Sequence, residues 1–156
     1  MNIQNKVVLV TGASRGIGMA IAAELSDKGA IVIGTATSVD GASNISKALS
    51  AQERKGEGMV LDVNSSDSIT NLIKAINDKY GDIQILVNNA GITKDNLLVR
   101  MKDEEWDSVL NTNLTSIYRL SKSVLRSMMK SRYGKIINIS SVVGHMGNAG
   151  QTNYVA

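Results

Sequence analysis

A glycine-rich turn near the N-terminus is the first feature of this sequence that could do chemistry. Gly12, Gly16 and Gly18 lie between the apolar run 7–10 and the helix-forming stretch 19–25. Gly12 can adopt backbone angles closed to other residues, Gly16 leaves room for a pyrophosphate beside the main chain, and Gly18 lets a helix lie close to the strand. The free N–H groups at the start of that helix would face an anion. The segment therefore predicts a phosphate-binding turn.

Alternating short and long apolar patterns predict the elements that position this turn. β-branched runs predict strands over 6–10, 31–34, 58–61, 83–87 and 135–139. Helical patterns predict helices over 17–28, 41–52, 66–80 and 103–132. This βαβα order with apolar strands favours a parallel sheet covered on both faces. Because crossovers are right-handed, we predict strand order 3-2-1-4-5 and a Rossmann-type doubly wound α/β fold.

The long helical pattern is apolar over more than the single stripe that a surface helix needs. Its apolar positions are Val109, Leu110, Leu114, Ile117, Tyr118, Leu120, Val124, Leu125, Met128 and Met129. Two explanations account for the extra width: a partner helix, or deeper burial inside the same chain. Periodicity does not separate them.

Composition narrows the class of protein. A chain of 156 residues with 43% apolar residues is one domain by length, and the absence of cysteine excludes disulfides and thiolate metal sites. No apolar stretch approaches the roughly 20 residues of a membrane span, and the N-terminus lacks a signal-peptide pattern, so we predict a cytoplasmic protein that binds no membrane. A net charge of +3 is too small to indicate a nucleic-acid binder. His145, the single histidine, has no acidic or cysteine companions at ligand spacing, so we predict no metal site.

Polar residues near the ends of the later strands complete a recognisable pattern. The segment Asn88-Asn89-Ala90-Gly91 follows the fourth strand, and Asn113 lies in the long helix. Ser140-Ser141 follows the fifth strand, and Tyr154 comes thirteen residues after Ser141. Together with Thr11-Gly12-x3-Gly16-x-Gly18, this pattern resembles the classical short-chain dehydrogenase/reductases along the whole chain. Within that family, segments 35–38, 91–98 and 101–106 are most similar to bacterial 3-oxoacyl-[acyl-carrier-protein] reductases.

The resemblance implies catalytic roles for Asn113, Ser141 and Tyr154, and the residue types suit them. Hydride addition to a ketone leaves an alkoxide, which needs fixed hydrogen-bond donors and an acid. A tyrosine has a pKa near 10, so neutral Tyr154 can deliver a proton, and a nearby positive charge would bring its pKa toward neutrality. Ser140 competes with Ser141, but the spacing of thirteen favours Ser141. Asn113 is implied to hold a helix kink and a water; alternatively, it is a polar residue tolerated in a helix.

In the family, a lysine four residues after the tyrosine supplies that positive charge, in the motif Tyr-x3-Lys. The printed sequence ends at Ala156, before the lysine and before the family's later strands. We therefore expect residues 1–156 to form an NADP-binding Rossmann domain that is incomplete at its C-terminus and turns over poorly alone. A piece of a longer protein is the favoured explanation, since 152–156 stops inside a helical pattern without a cap; a natural truncation is the other.

The end of the second strand indicates the cofactor. NAD-preferring sites usually carry an acid there, whereas 33–38 offers hydroxyls and no carboxylate, and Arg15 adds a planar cation suited to phosphate. We predict NADP(H). The resemblance assigns cofactor contacts to Gly12, Ser14, Arg15, Gly16, Ile17, Gly18, Thr37, Asp62, Val63, Asn89, Ala90, Gly91 and Ile92. Asn89 has a structural role as its alternative.

The resemblance implies NADPH-dependent reduction of 3-oxoacyl-[acyl-carrier-protein] to the 3-hydroxyacyl form in fatty acid synthesis. Two alternatives stay open: a related reductase acting on acetoacetyl-CoA, a polyketide or an alcohol, and a catalytically silent NADP-binding or oligomerisation module. The cations Arg126, Lys130 and Arg132 near the end of the long helix either receive an acidic carrier protein or form a solvated helix end. The resemblance and the broad apolar helix together suggest a homotetramer built from paired helices.

Overall fold

Five parallel strands form one sheet in the computed structural model of the protein, which describes residues 2–156. They are β1 (Val7–Val10), β2 (Ile31–Ala36), β3 (Gly56–Val60), β4 (Ile85–Asn88) and β5 (Lys135–Asn138). Their order is β3-β2-β1-β4-β5, and every neighbouring pair is parallel. The predicted order and the Rossmann-type α/β fold are confirmed.

Helices connect successive strands and cover the sheet. They are α1 (Gly16–Asp27), α2 (Val39–Ser50), α3 (Ser66–Tyr80), α4 (Asp103–Leu110), α5 (Ser116–Ser131), α6 (Val143–Met146) and α7 (Thr152–Val155). A 3-10 turn over Leu98–Arg100 precedes α4. Helix α2 begins two residues before its predicted start because the Ser38 hydroxyl accepts a hydrogen bond from the Gly41 N–H at 3.1 Å and caps it. No helix within residues 2–156 has both the length and the apolar character needed to cross a membrane.

The central strands β1 and β4 are buried on both faces, which explains why β1 is apolar at every position. Alternate residues of β1 point to opposite sides: Leu9 joins a core cluster with residues of α3 and α5, and Val8 joins one with residues of α1 and α2. Leu9 and Val8 are both fully buried. The sheet is therefore a rigid platform whose carboxyl edge presents the loops.

The predicted helix over 103–132 is helical from Asp103 to Ser131, but it contains a π-helical turn that apolar periodicity does not predict. Helix α4 ends at Leu110, a π-helical turn follows over Asn111–Thr115, and α5 begins at Ser116. Within this turn, Asn113 hydrogen-bonds to the loop after β4 and Thr112 to Asn64 in the loop after β3. These tertiary bonds accompany a widened turn of the kind often found at functional sites, and apolar periodicity does not report them.

Only one of the apolar stripes of α5 is buried within the chain. Leu120, Val124 and Met128 lie in the core. A second set, which begins in the π-turn and continues along α5, is exposed: Leu114, Tyr118, Leu125 and Met129, which we call the α5 stripe, with Met129 73% exposed. Burial inside residues 2–156 therefore does not account for the extra apolar width of this helix.

Candidate active site

The parallel register brings the predicted site residues to one edge of the sheet. Val10 pairs with Gly34 of β2 and with Val87 of β4, and Ala36 pairs with Val60 of β3. The loops that leave these strands therefore emerge side by side. They carry the glycine turn after β1, Thr37 after β2, Asp62 after β3 and residues 89–92 after β4. Carboxyl edges of this kind are where doubly wound α/β proteins bind ligands.

Gly12 and Gly16 both have a positive φ, and the three glycines of the turn differ in what surrounds them. Gly12 has a φ of +65°, in the left-handed region that favours glycine. A Cβ added at Gly18 would collide with the Gly12 carbonyl oxygen and the Asn89 side-chain nitrogen, so α1 lies too close to the turn for any side chain there. A Cβ at Gly16 would meet no heavy atom within 4 Å, so the space above this residue is open. The turn is thus tightly packed at Gly18 and leaves room for a ligand at Gly16.

The start of α1 offers its amides without a competing acceptor. Its N-cap is Arg15, in extended conformation, whose side chain does not cap the helix, and the first turn contains no acidic residue. Gly16, Ile17 and Gly18 occupy this first turn, where N–H groups have no intrahelical partner. The guanidinium of Arg15 is exposed beside them, and none of the salt bridges found within residues 2–156 involves it. The charge and the amides together suit an anionic ligand.

Thr11 and Asn89 lock the glycine turn to the loop after β4. The Thr11 hydroxyl accepts from the N–H groups of Asn89 and Ala90, both at 3.0 Å. The Asn89 side-chain amide donates to the carbonyls of Thr11 at 2.9 Å and Gly12 at 3.0 Å. This geometry gives Asn89 the structural role weighed from the sequence. Sequence reasoning did not single out the Thr11 side chain, although its place directly after β1 was a usable signal.

The ends of β2 and β3 present polar side chains. Thr37 and Asp62 are exposed, and the Asp62 carboxylate accepts from the Asn64 N–H at 2.9 Å, which shapes the loop as an Asx turn. Val63 differs, because its side chain is 7% exposed and belongs to the core below α3. Any contact of Val63 with a nucleotide would therefore come chiefly from its main chain.

Asn113 is brought to the site by the π-turn. Its side-chain amide donates to the Ile92 carbonyl at 2.9 Å and accepts from the Ile92 N–H at 2.9 Å. A Cβ added at Gly91 would lie 3.3 Å from the Asn113 amide oxygen, which is tighter than ordinary contact. The amide of Asn113 therefore holds the loop after β4 in place, and this is more specific than a polar residue tolerated in a helix.

Ser141 and Tyr154 lie on consecutive small elements after β5. Ser141 is half-buried just before α6, and its hydroxyl oxygen accepts from the Val143 N–H at 3.4 Å, whereas Ser140 is exposed. Tyr154 is half-buried on α7, which packs against α6 and α4. The same edge of the fold thus carries both hydroxyl side chains, and the greater burial of Ser141 agrees with its choice over Ser140.

The loop before α7 is tied to the loop after β4 by bonds that the sequence did not reveal. The Asn96 N–H donates to the Gly150 carbonyl at 2.8 Å, and the Gln151 side-chain amide donates to both carboxylate oxygens of Asp95 at 3.1 Å. The Asn153 side-chain amide donates to the Lys94 carbonyl at 2.9 Å. Polar residues in two distant loops give no local signal of such pairing. The two loops are joined only because the fold brings them together.

The predicted basic cluster is fully exposed. Arg126 and Lys130 lie on α5, and Arg132 ends that helix in the left-handed conformation, with a φ of +53°. None of the salt bridges found within residues 2–156 involves these three cations. In the same described part of the chain, no group of three or more His, Cys, Asp or Glu side chains could hold a metal ion, and His145 is exposed.

Comparison with known proteins places the chain in a family. The sequence model of the short chain dehydrogenases matches residues 6–156. Together with the doubly wound sheet and its glycine turn, this match shows that the chain belongs to the short chain dehydrogenase family.

Individual relatives are similar over the whole chain. A 3-oxoacyl-[acyl-carrier-protein] reductase FabG of Pseudomonas aeruginosa is 63% identical over 156 residues, which is 100% of this chain and 63% of the relative. The proteins of the same name from Vibrio harveyi and Escherichia coli are 62% and 58% identical, each over 100% of this chain and 63% of their own length. The chain therefore spans less than two thirds of the length of these relatives.

Proposed function

We propose that the protein to which these residues belong reduces 3-oxoacyl-[acyl-carrier-protein] to the 3-hydroxyacyl form with NADPH, as a step of fatty acid synthesis. One observation carries the proposal: an open glycine turn lies at the same edge of the sheet as the segments that carry Asn113, Ser141 and Tyr154. Relatives that are 58–63% identical to the chain are 3-oxoacyl-[acyl-carrier-protein] reductases, which supports the same substrate class.

The glycine turn fits a dinucleotide phosphate. Open space above Gly16, uncapped amides at the start of α1 and the exposed Arg15 form a cradle for a pyrophosphate or a 2′-phosphate. Thr37 and Ser14 add hydroxyls beside it, and residues 33–38 contain no carboxylate that would repel the 2′-phosphate. These features support NADP(H) over NAD(H). Contacts are proposed for Gly12, Ser14, Arg15, Gly16, Ile17, Gly18, Thr37, Asp62, Val63, Asn89, Ala90, Gly91 and Ile92.

The hydroxyl side chains would handle the charge that develops on the substrate. Bound NADPH supplies the hydride that adds to the carbonyl carbon. The Ser141 hydroxyl would donate a hydrogen bond to the carbonyl oxygen as negative charge grows on it, and the Tyr154 hydroxyl would transfer its proton to that oxygen. Asn113 would hold the Ile92 main chain beside the reaction. The lysine position of the family's Tyr-x3-Lys motif, four residues after Tyr154, is not among residues 1–156, so turnover should be tested on the full-length protein.

The decisive experiment follows NADPH oxidation by full-length protein with 3-oxoacyl thioesters on carrier protein, on coenzyme A and on a short pantetheine analogue. We expect turnover that Tyr154→Phe and Ser141→Ala abolish while NADPH binding persists, and a much lower efficiency with NADH. NADPH binding without turnover of any thioester would instead favour a silent nucleotide-binding module. Preference for the coenzyme A ester would favour the related-reductase alternative.

The exposed cations near the end of α5 support a docking role. Carrier proteins are acidic, and Arg126, Lys130 and Arg132 form an unpaired basic cluster on one end of a helix. We propose that this cluster steers the carrier protein toward the site. A merely solvated helix end would leave the choice of thioester carrier unaffected.

The α5 stripe supports assembly. Its residues follow an i, i+4, i+11, i+15 spacing along one helical face, and such a face is normally covered by another helix. We propose that a second copy of the chain covers it and that paired helices build a homotetramer.

A further inference from the structure

The side chain of Asn153 is buried beside Tyr154 and bridges two other elements. It is 1% exposed, and its amide nitrogen donates to the carbonyl of Lys94 at 2.9 Å and to the carbonyl of Glu105 at 3.2 Å. Lys94 belongs to the loop after β4, and Glu105 to the first turn of α4. One side chain thus joins three segments that lie far apart in the sequence.

Asn153 lies on α7, the helix that also carries Tyr154. Hydrogen bonds within this segment run from the Tyr154 N–H to the Gln151 carbonyl at 3.0 Å and from the Val155 N–H to the same carbonyl at 2.9 Å. Asn153 is the one buried residue of α7. Its two hydrogen bonds therefore anchor the residue next to Tyr154 to the loop after β4 and to α4.

The two acceptors of Asn153 are themselves held. Glu105 lies in a capped helix start, where its carboxylate accepts from the Lys102 N–H at 2.9 Å and from the Asn96 amide at 3.0 Å. Lys94 lies two residues after Ile92, whose main chain Asn113 clamps. Asn113 is therefore connected to α7 by a continuous path. It runs through the Asn113–Ile92 hydrogen bonds, the two peptide units from Ile92 to Lys94, and the hydrogen bond from Asn153 to the Lys94 carbonyl.

We propose that Asn153 is a positioning residue, which fixes the Tyr154 hydroxyl relative to the loop held by Asn113. This inference rests on the proposed reductase function and names a residue of the same site. The amide suits the position because both of its hydrogens meet carbonyl oxygens. The reversed amide would place its oxygen against those two carbonyls, so the orientation is determined by the acceptors.

A charge substitution gives a test that a purely structural role would not pass. In Asn153→Asp, an ionised carboxylate would face two carbonyl oxygens, whereas a protonated carboxyl could donate one O–H to them. Burial raises the pKa of the introduced aspartate, and so does the negative charge of Glu105 on α4. The other charged or titratable groups on the elements packed against α7 and on α7 itself are Lys94 and Asp95 in the loop, Asp103, Glu104 and Asp107 on α4, His145 on α6, and Tyr154. The damage should therefore diminish as the pH falls.

The experiment measures turnover and NADPH binding of the full-length protein between about pH 8 and about pH 6, the range in which a buried carboxyl can titrate. We expect N153D to lower kcat about 10-fold or more at the higher pH, the scale expected when a catalytic group is displaced by less than about 1 Å. The ratio of its kcat to that of the wild type should rise several-fold toward the lower pH. The dissociation constant of NADPH should change by less than about two-fold, because the glycine turn is untouched.

Two further variants complete the test. Asn71→Asp adds the same charge at an exposed position on α3 and should leave the kcat ratio flat with pH. Asn153→Ala removes the bridge without adding charge and decides the question if N153D does not fold; it should lower kcat while NADPH binding persists. The inference would be overturned if the wild type is active and the Asn153 variants have the same kcat. It would also be overturned if N153D loses the same fraction of kcat at every pH. An inactive wild type would instead count against the proposed function.

Discussion

Asn113 and Ile92 are joined by two hydrogen bonds of 2.9 Å, one to the N–H and one to the carbonyl of Ile92. The side-chain amide of Asn113 thus satisfies both main-chain polar groups of Ile92, as a neighbouring strand would. This pairing also explains why the helix is widened at this point, since Asn113 lies in the middle of the π-turn. The loop after β4 is thereby kept at a set distance from α4 and α5.

Asn113→Ala should lower kcat about 10- to 100-fold and weaken NADPH binding to a smaller extent, because both bonds to Ile92 are lost and the loop is no longer held. Steady-state kinetics of the full-length protein and NADPH fluorescence titration would measure the two effects. Asn111→Ala, an exposed residue in the same π-turn, is the matched control and should be nearly neutral. Equal effects of the two substitutions would show that only the π-turn, and not the clamp, matters.

Gly18→Ala should destabilise the protein by about 2–3 kcal/mol, since the new methyl group would collide with backbone and with the Asn89 amide. The displaced α1 should also weaken NADPH binding about tenfold, as the phosphate-facing amides move. Urea unfolding and NADPH titration would measure both. Gly144→Ala serves as the control, because its added Cβ meets nothing within 4 Å and its φ is not positive. A stable Gly18→Ala variant would mean that α1 can shift freely.

Glu105→Gln should change how stability depends on pH. Hydrogen bonds from the Lys102 N–H and the Asn96 amide lower the pKa of Glu105 below its ordinary value of 4.5 in the folded protein. A carboxyl with a depressed folded pKa adds stability above its unfolded pKa, and this contribution is lost as the pH falls through the folded pKa. The wild type should thus be the more stable protein at neutral pH, and the difference should shrink below about pH 4.5. Thermal unfolding of both proteins across this pH range measures the effect. A difference in unfolding temperature that stays constant with pH would contradict the prediction.

Arg132→Glu should raise KM for carrier-linked substrate several-fold and leave the free pantetheine thioester unaffected, because only the carrier protein reaches the end of α5. The effect should weaken as salt is added, since exposed charges are screened. Lys74→Glu, an exposed cation on α3, is the charge-matched control. Equal effects of Arg132→Glu on carrier-linked and free substrates would remove the docking proposal.

Leu125→Glu combined with Met129→Glu should break the assembly that we propose along the α5 stripe, because two charges would be buried between paired helices. Sedimentation of the full-length protein should show a mass that falls from four chains to two or one. Ser123→Glu, on another exposed part of α5, should leave the mass unchanged. An unchanged mass in the double variant would assign the stripe to a different partner.

The sequence alone determined the sheet order, the Rossmann-type fold and the place of the glycine turn. These features follow from local signals: apolar strands of the length a buried sheet needs, helices at the expected period, and glycines where backbone angles or close approach exclude side chains. The bounds of α3, Ser66–Tyr80, agree with the predicted ones because capping by Ser65 and the terminating Gly81 are both local. The helix over 103–132 was also predicted, but its π-turn was not, since that turn makes hydrogen bonds with loops far away in the chain.

The tertiary structure decided what the polar side chains near the site do. Asn89 braces the glycine turn, Asn113 clamps Ile92 and Asn153 bridges two carbonyls, yet in the sequence all three are asparagines next to other polar or small residues. The tertiary structure also showed that Leu125 and Met129 remain exposed while Leu120 is buried. A side-chain amide finds its partners only after the strands have set the loops side by side. Its role is therefore determined by the fold as a whole and leaves no periodic trace in the residues around it.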